Sequence, residues 1–438
     1  MVGLVRRFVG RFGLPLVIAS LVWLTVQFVL KAQAQNQSLG YYHNTYYDLS
    51  IEQPTPFWGT KWVTGYRKGI GNFPIYDARY QTFDQGELRA GVEVPLLRGR
   101  AVDERRKNLR SREVGVQVAE QILGSKQLEA KRESARKYWD WVSAGYKLTV
   151  AEEALNISLL RDQALLSRVK KGDAPAIDHT DNQRAVVQRR AALVAAERAL
   201  QKNSLELSLY YRDEEGNPVF PQRAWIPGSF PVPVENEPPV LNPDVGANIH
   251  PDTITLDLQM KQMAVEQVWA QNQWLPRLDL YLGVSRDLGI NPNKTHLPPS
   301  SDPWEFKAGL LLEFPIFFRA AAGNVRALNS AQHKLGFIHT ATRDRIKTQI
   351  LNSHQAITAA KTRTEYAQQE VRLAQKLEEA EKIRFQHGDS SFFVINVREQ
   401  TTRDAMNNEI DALADYFKAK TEYETYALEQ TELNEPTL

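Results

Sequence analysis

The sequence predicts an α+β membrane protein built as a tandem repeat, each copy running strand, strand, long helix, turn and returning helix. Three observations predict it. From residue 320 to 387, and again to about 430, apolar residues recur at helical spacing, as in Val325, Leu328, Leu335, Ile338, Ile346, Ile350, Ile357 and Ala360, broken only by Gly388-Asp389-Ser390-Ser391. The turn Arg168-Val169-Lys170-Lys171-Gly172-Asp173 returns as Arg384-Phe385-Gln386-His387-Gly388-Asp389 at an offset of 216 residues, and Glu93-Val94-Pro95 returns as Glu313-Phe314-Pro315 at 220. Ahead of each long helix lie two stretches in which apolar and polar residues alternate, as strands with one apolar face require.

Residues 1–34 carry Arg6, Arg7 and Arg11, an apolar core from Leu14 to Leu30, and Ala32-Gln33-Ala34 before Gln35. This is the layout of a secretory signal peptide with a small-residue cleavage site; an uncleaved anchor is the alternative, because the apolar core is long. Either reading sends the remainder out of the cytoplasm. Without residues 1–34 the chain keeps 50 Lys and Arg against 52 Asp and Glu, so the formal charge moves from +2 to −2. Such a near-neutral chain of mixed charge offers no electrostatic case for nucleic acid. The sequence has no Cys, which excludes disulfides, thiolate metal sites and a Cys-linked lipid.

Residues 35–55 are Tyr-rich (Tyr41, Tyr42, Tyr46, Tyr47), show no clear period and are expected to be irregular. Repeat 1 then covers 56–212, with strands at 57–70 and 87–95 and a helical hairpin at 102–212 that turns at 172–175. In the first strand Trp58, Trp62 and Tyr66 oppose Lys61 and Arg67; in the second Leu88, Ala90, Val92 and Val94 alternate with Glu87, Arg89, Gly91 and Glu93. On the returning arm Val186, Leu193, Leu200 and Leu207 recur every seven residues among Ala191, Ala192, Ala195, Ala196 and Ala199, a coiled-coil-like seam that allows close approach on more than one face. A linker at 213–251, interrupted by Pro218, Pro221, Pro227, Pro231 and further prolines, can be neither long helix nor regular strand.

Repeat 2 covers 252–430: a helix at 252–274, strands at 277–288 and 304–315, and a hairpin at 320–430 that turns at 388–391, before a tail at 431–438. Leu278, Leu280, Leu282 and Val284 alternate with Arg277, Asp279, Tyr281 and Ser285, and Phe306, Ala308, Leu310 and Leu312 with Glu305, Lys307, Gly309 and Glu313. The strands have the length that crosses a tilted path through a bilayer, although a half-buried soluble sheet would show the same alternation. Four strands cannot close a membrane barrel, and an open edge in lipid leaves backbone groups unpaired. Strands that face lipid must then be pooled between chains.

The duplicated plan, Leu275-Pro276-Arg277-Leu278 ahead of a strand, the Gly309 to Pro315 passage into a helix, and the two Arg-x-x-x-Gly-Asp turns together resemble the TolC family of outer-membrane efflux proteins. The likeness spans nearly all of residues 56–430. It implies a homotrimer whose pooled strands form a 12-stranded barrel in outer-membrane lipid, continued by a helical tunnel in the periplasm. It also implies docking to a periplasmic adaptor protein and to an inner-membrane efflux pump or ABC exporter, with the turns at Gly172, Asp173, Gly388 and Asp389 as candidate adaptor contacts. Two departures stand out. The family has a helix before its first strand, for which this chain lacks room. Aspartates that narrow the tunnel in some members, six and nine residues after the second turn's Gly, are replaced by Val394 and Val397, whereas Asp178 and Asp181 hold those offsets from Gly172. A constriction built on Asp178 and Asp181 would favour cations; equally, the two carboxylates suit the start of a helix.

No phosphate-binding loop, H-E-x-x-H or G-x-S-x-G occurs, and His333, His339 and His354 lack metal spacing, so no enzyme activity, cofactor or metal is expected. The reading is a passive exit duct for efflux or type I secretion. The rival is a periplasmic coiled-coil adaptor or scaffold anchored in the inner membrane by residues 1–34; two strand-led hairpins, rather than one, weigh against it.

Overall fold

The computed structural model describes residues 27–36, 43–72, 82–233, 242–290, 303–387 and 389–427. The chain divides into two units, Met1–Gln117 with Leu258–Gly336, and Val118–Asp257 with Phe337–Leu438.

The first unit is built on a six-stranded antiparallel sheet in chain order: β1 (Gln27–Asn36), β2 (His43–Pro54), β3 (Lys61–Asn72), β4 (Glu87–Pro95), β5 (Arg277–Asp287) and β6 (Trp304–Glu313). The period-two pattern sets one face. Leu30 opposes Leu49, Leu49 opposes Tyr66, Tyr66 opposes Leu88, Val92 opposes Leu282 and Leu280 opposes Leu310, so one apolar surface crosses every strand. It is exposed in the single chain, with Phe306 at 80% and Leu310 at 69%. Arg286 lies over the Trp304 ring at 5.2 Å, toward one end of this face.

The strands differ from expectation in three respects. The sheet has six strands, where four were expected. Residues 43–54, expected to be irregular, form β2, because Tyr47, Leu49 and Ile51 alternate with Asp48, Ser50 and Glu52 and find paired partners on both sides. Residues 27–34, the end of the segment read as a signal peptide, lie in β1, and residues 1–26 fall outside the described residues. The first expected strand also starts later. Phe57 to Thr60 form a turn closed by Thr55 N–H to Thr60 O at 2.8 Å, with Trp58 and Gly59 both at positive φ. Gly59 is required there: a Cβ would stand 2.5 Å from the Gly99 carbonyl oxygen.

The helices are α1 (Glu104–Lys171), α2 (Ala176–Ser208), α3 (Pro243–Ile249), α4 (Pro251–Asn272), α5 (Arg319–Gln386) and α6 (Phe392–Ala427). Within the first unit, α1 and α4 are tied by Lys107 to Glu266 at 3.2 Å and by Gln262 to the Ser111 carbonyl at 2.9 Å. Asn272 at the end of α4 accepts from the Gly99 N–H at 2.9 Å, which anchors the passage from β4 to α1.

The second unit is helical. Ile346, Ile350 and Ile357 of α5, the positions that the helical spacing selects, are 1%, 1% and 2% exposed and pack with Tyr416, Phe417, Tyr423 and Tyr426 of α6. The described part of the Pro-rich linker folds back on α1: Phe230 stacks on Trp139 at 5.8 Å, and the Tyr146 hydroxyl donates to the Pro227 carbonyl at 2.6 Å. Without long helix or strand, the linker is held by aromatic packing and by Arg223 gripping Glu152 through both guanidinium nitrogens at 2.5 and 2.6 Å. Among the described residues no helix is long and apolar enough to cross a membrane.

Candidate functional site

Opposite its apolar surface the sheet carries a polar one, and the charges there are paired across strands. Lys61 of β3 reaches Glu93 of β4 at 2.9 Å and Glu52 of β2 at 3.5 Å; Arg89 of β4 gives two hydrogen bonds to Asp48 of β2 at 2.7 and 2.8 Å; Arg67 grips Glu87. Arg277 of β5 donates to Asp279 at 2.5 Å and lies 3.4 Å from Glu93. Tyr281 lies over Gly91 and Gly283, facing partners on β4 and β5: a Cβ on either would come within 3.0 Å of the Tyr281 hydroxyl oxygen. A sheet with one mainly apolar face, on which Lys68 and Arg286 stand toward one rim, and an ion-paired opposite face matches lipid on one side and water on the other.

The helix turns repeat in structure as they do in sequence. At the end of α1 the Asp173 N–H donates to the Arg168 carbonyl at 2.9 Å and the Gly172 N–H to the Val169 carbonyl at 3.0 Å, a Schellman closure with Gly172 at φ 81°. The Arg168 guanidinium returns a bond to the Asp173 carbonyl at 3.3 Å. At the end of α5 the Asp389 N–H donates to the Arg384 carbonyl at 2.9 Å and Arg384 returns a bond to the Asp389 carbonyl at 3.2 Å. The Arg and Asp of each turn thus brace the same backbone loop. Gly388 lies outside the described residues.

Asp178 and Asp181 are the third and sixth residues of α2; Val394 and Val397 are the third and sixth of α6. Each pair is three residues apart and shares a helix face. Asp178 sits in the first turn of α2, where the free N–H groups favour a carboxylate, and both aspartates are half-buried in the single chain. Val397 is exposed and Val394 half-buried.

A charged centre that sequence reasoning did not find joins three helices of this unit. Glu399 of α6 accepts from Arg189 of α2 at 2.7 Å and from Arg161 of α1, which also reaches Glu399 at 3.0 Å through its other nitrogen. Burial pushes the Glu399 carboxyl up, but the hydrogen bonds and charges of Arg161 and Arg189 outweigh it and hold the group below the usual carboxylate range. Beside it opens a cleft of about 540 Å³ lined by Lys147, Arg189, Arg403, Asp404, Asn407 and Asp411. Burial, then the nearby Arg189 charge, lowers the Arg403 guanidinium from its ordinary value. The position equivalent to Glu399 in the first repeat, 216 residues earlier, is Gln183, so the duplication carried no sign of this centre.

Among the described residues no group of His, Asp and Glu is arranged to hold a metal ion. Of the His of α5, His339 lies 3.2 Å from Asp257, and the His354 ring meets Tyr423 edge-on at 5.5 Å.

Solved structures of outer-membrane channels share this fold. The open-state MtrE outer membrane channel of Neisseria gonorrhoeae aligns with a TM-score of 0.68 and 11% identity, over 94% of this chain and 82% of that one. The CmeC outer membrane channel of Campylobacter jejuni gives 0.65 and 11%, over 94% and 79%. The outer membrane protein VceC of Vibrio cholerae gives 0.65 and 13%, over 94% and 88%. No family model and no curated protein matches the sequence.

Proposed function

We propose that the chain is a member of the TolC family and works as an outer-membrane exit duct for efflux, in a homotrimer whose sheets share one barrel and whose helices line a passage in the periplasm. The observation that carries this reading is the two-faced sheet: an apolar surface from Leu30 to Leu310 on one side, and the Arg89–Asp48, Arg67–Glu87 and Lys61–Glu93 pairs on the other. Lipid takes the apolar part of the first without cost to the paired backbone, and water solvates the second. A soluble adaptor would have to cover the apolar face with a further layer, and among the described residues none covers it. Solved channels of the same fold support the outer-membrane location.

In this reading the chain supplies no energy. It lowers the barrier to passage with a water-filled path, while a periplasmic adaptor and an inner-membrane efflux pump or ABC exporter drive the cargo. The braced turns at Arg168–Asp173 and Arg384–Asp389 are the surface offered to the adaptor, and type I secretion is a second use of the same duct. The test is the protein mass of the complex extracted from membranes in mild detergent, followed by conductance in a planar bilayer. Three chains and a conducting pore are expected; a water-soluble monomer without conductance would sink the proposal.

A further inference from the structure

The apolar face of the sheet has relief. In one cross-strand row Tyr66, Leu88, Arg286 and Trp304 stand side by side; in the next, nearer the strand ends that lead into α1 and α5, stand Thr64, Ala90, Val284 and Phe306. Large rings therefore rise on β3, at Tyr66 and Trp62, and on β6, at Trp304 and Phe306, while the floor between them is made of small side chains. Two hollows of about 600 and 450 Å³ result, and because both are lined by Ala90 and Val284 they form one trough. Its walls are held in place: the Tyr66 hydroxyl donates to the Gln85 carbonyl at 2.7 Å, and the Trp304 ring carries Arg286 at 5.2 Å. From the Arg286 row to the row of Leu282 and Ala308 the trough runs four residues, about 13 Å at the rise of a strand.

One end of the trough is charged. Arg286 is the next-to-last residue of β5, and Lys68 lies two residues beyond Tyr66 toward the same rim, away from the helices. These are the Lys and Arg of the six strands that share the apolar face, and no Asp or Glu of the strands shares it. Among the described residues neither is in an ion pair. Two strands and two residues separate them, about 12 Å, so both long side chains reach one headgroup. A cation facing lipid costs least at the interface, and an Arg there offers several donors in a fork that fits a phosphate. Apolar trough and phosphate-binding mouth together match the two halves of an anionic lipid.

We infer that the trough is a lipid-binding site: it takes an acyl chain of a phosphorylated glycolipid of the lipid A type, whose phosphate is held by Arg286 and Lys68. This rests on the exit-duct reading, which puts α1 and α5 in the periplasm and the Arg286 rim in the outer leaflet, where the phosphates belong to glycolipid. The acyl chain enters beside Trp304 and lies over Ala90 and Val284, between the rings of β3 and those of β6. Every group of the site belongs to one chain, so each copy carries its own.

The test is native mass spectrometry of the protein purified from membranes in mild detergent and freed of lipid. It is titrated with diphosphorylated lipid A, with the same lipid A after removal of its phosphates, and with phosphatidylglycerol. Diphosphorylated lipid A is expected to bind each chain, and the double variant Arg286→Gln with Lys68→Gln to weaken it about tenfold. Ala90→Phe, which fills the floor without touching the charges, should weaken it as well. Lys307→Gln removes a charge from the opposite face of β6 and should leave it unchanged. Equal binding of the phosphate-free lipid, or undiminished binding by the double variant and by Ala90→Phe, would overturn the site; phosphatidylglycerol binding as tightly as lipid A would overturn the choice of glycolipid. A conducting oligomer that binds no lipid A would overturn this inference and leave the exit-duct reading standing. A water-soluble monomer would overturn both.

Discussion

Arg189 of α2 donates to Glu399 of α6 at 2.7 Å, and this one bond links the returning helix of the first repeat to that of the second. Both side chains are nearly out of solvent, at 6% and 7% exposure. In such a site the cost of removing one partner far exceeds the net worth of the pair, because the other charge stays buried.

Glu399→Gln is therefore expected to destabilise the helical unit by about 3–5 kcal/mol, with Arg161, Arg189 and Arg403 left facing one another. Thermal unfolding followed by helical circular dichroism checks it; a double-mutant cycle with Arg189→Met should show that the two losses do not add.

The same centre sets an acid limit. The Glu399 carboxyl is held below its unfolded value, so its stabilisation is complete above about pH 4.5 and is lost as pH falls through the lower folded value. Unfolding midpoints of the parent and Glu399→Gln should converge on acidification below about pH 4.5.

His250 titrates in a different window. It caps α4 by accepting the Asp252 N–H at 3.2 Å through Nδ1, which requires the neutral ring, and it packs on Tyr426. Burial lowers its affinity for a proton, Asp252 opposes that, and Arg345 reinforces it. The unfolded ring takes up its proton first, so stability is full above about pH 6.5 and falls as pH drops from there through the folded value. Ser125, which donates to Asp252 at 2.6 Å, completes the surroundings. His250→Asn retains a capping side chain without this titration, and its midpoint should change less between pH 7.5 and pH 5.5 than that of the parent.

The two faces of the sheet predict opposite tolerance. Leu282→Arg, in the middle of β5 on the apolar face, should cost about 2–4 kcal/mol of barrel stability if that face meets the bilayer core. Gly309→Ser, on the polar face where nothing lies within 4 Å of an added Cβ, should leave assembly unchanged. Yield of detergent-stable oligomer in the membrane fraction distinguishes them.

Asp178→Asn with Asp181→Asn tests the constriction. If three copies of these carboxylates narrow the duct, the double variant lowers the ratio of cation to anion permeability in planar bilayers; an unchanged ratio assigns them to the start of α2 alone.

Much of the architecture could be read from local pattern. Ile346, Ile350 and Ile357 announced the buried stripe of α5 by spacing, and the Arg-x-x-x-Gly-Asp turns announced their closures by repetition. β2 could have been read too, from Tyr47, Leu49 and Ile51 against Asp48, Ser50 and Glu52, but the neighbouring tyrosines blurred the period. β1 was obscured for a different reason: apolar residues followed by Ala32-Gln33-Ala34 serve a signal peptide as well as a strand, and composition cannot choose between them.

The sequence by itself determined the repeat, the turns, and the face to which each recognised strand turns its apolar residues, because period, glycine conformation and alternation act within a few residues of the chain. Only the tertiary structure decided that residues 27–36 and 43–54 join the sheet, that Asp48 binds Arg89, and that Arg161, Arg189 and Glu399 converge. Those outcomes depend on which backbone edges and which charges meet across long separations, where pairing energy and desolvation, rather than local preference, choose the partner.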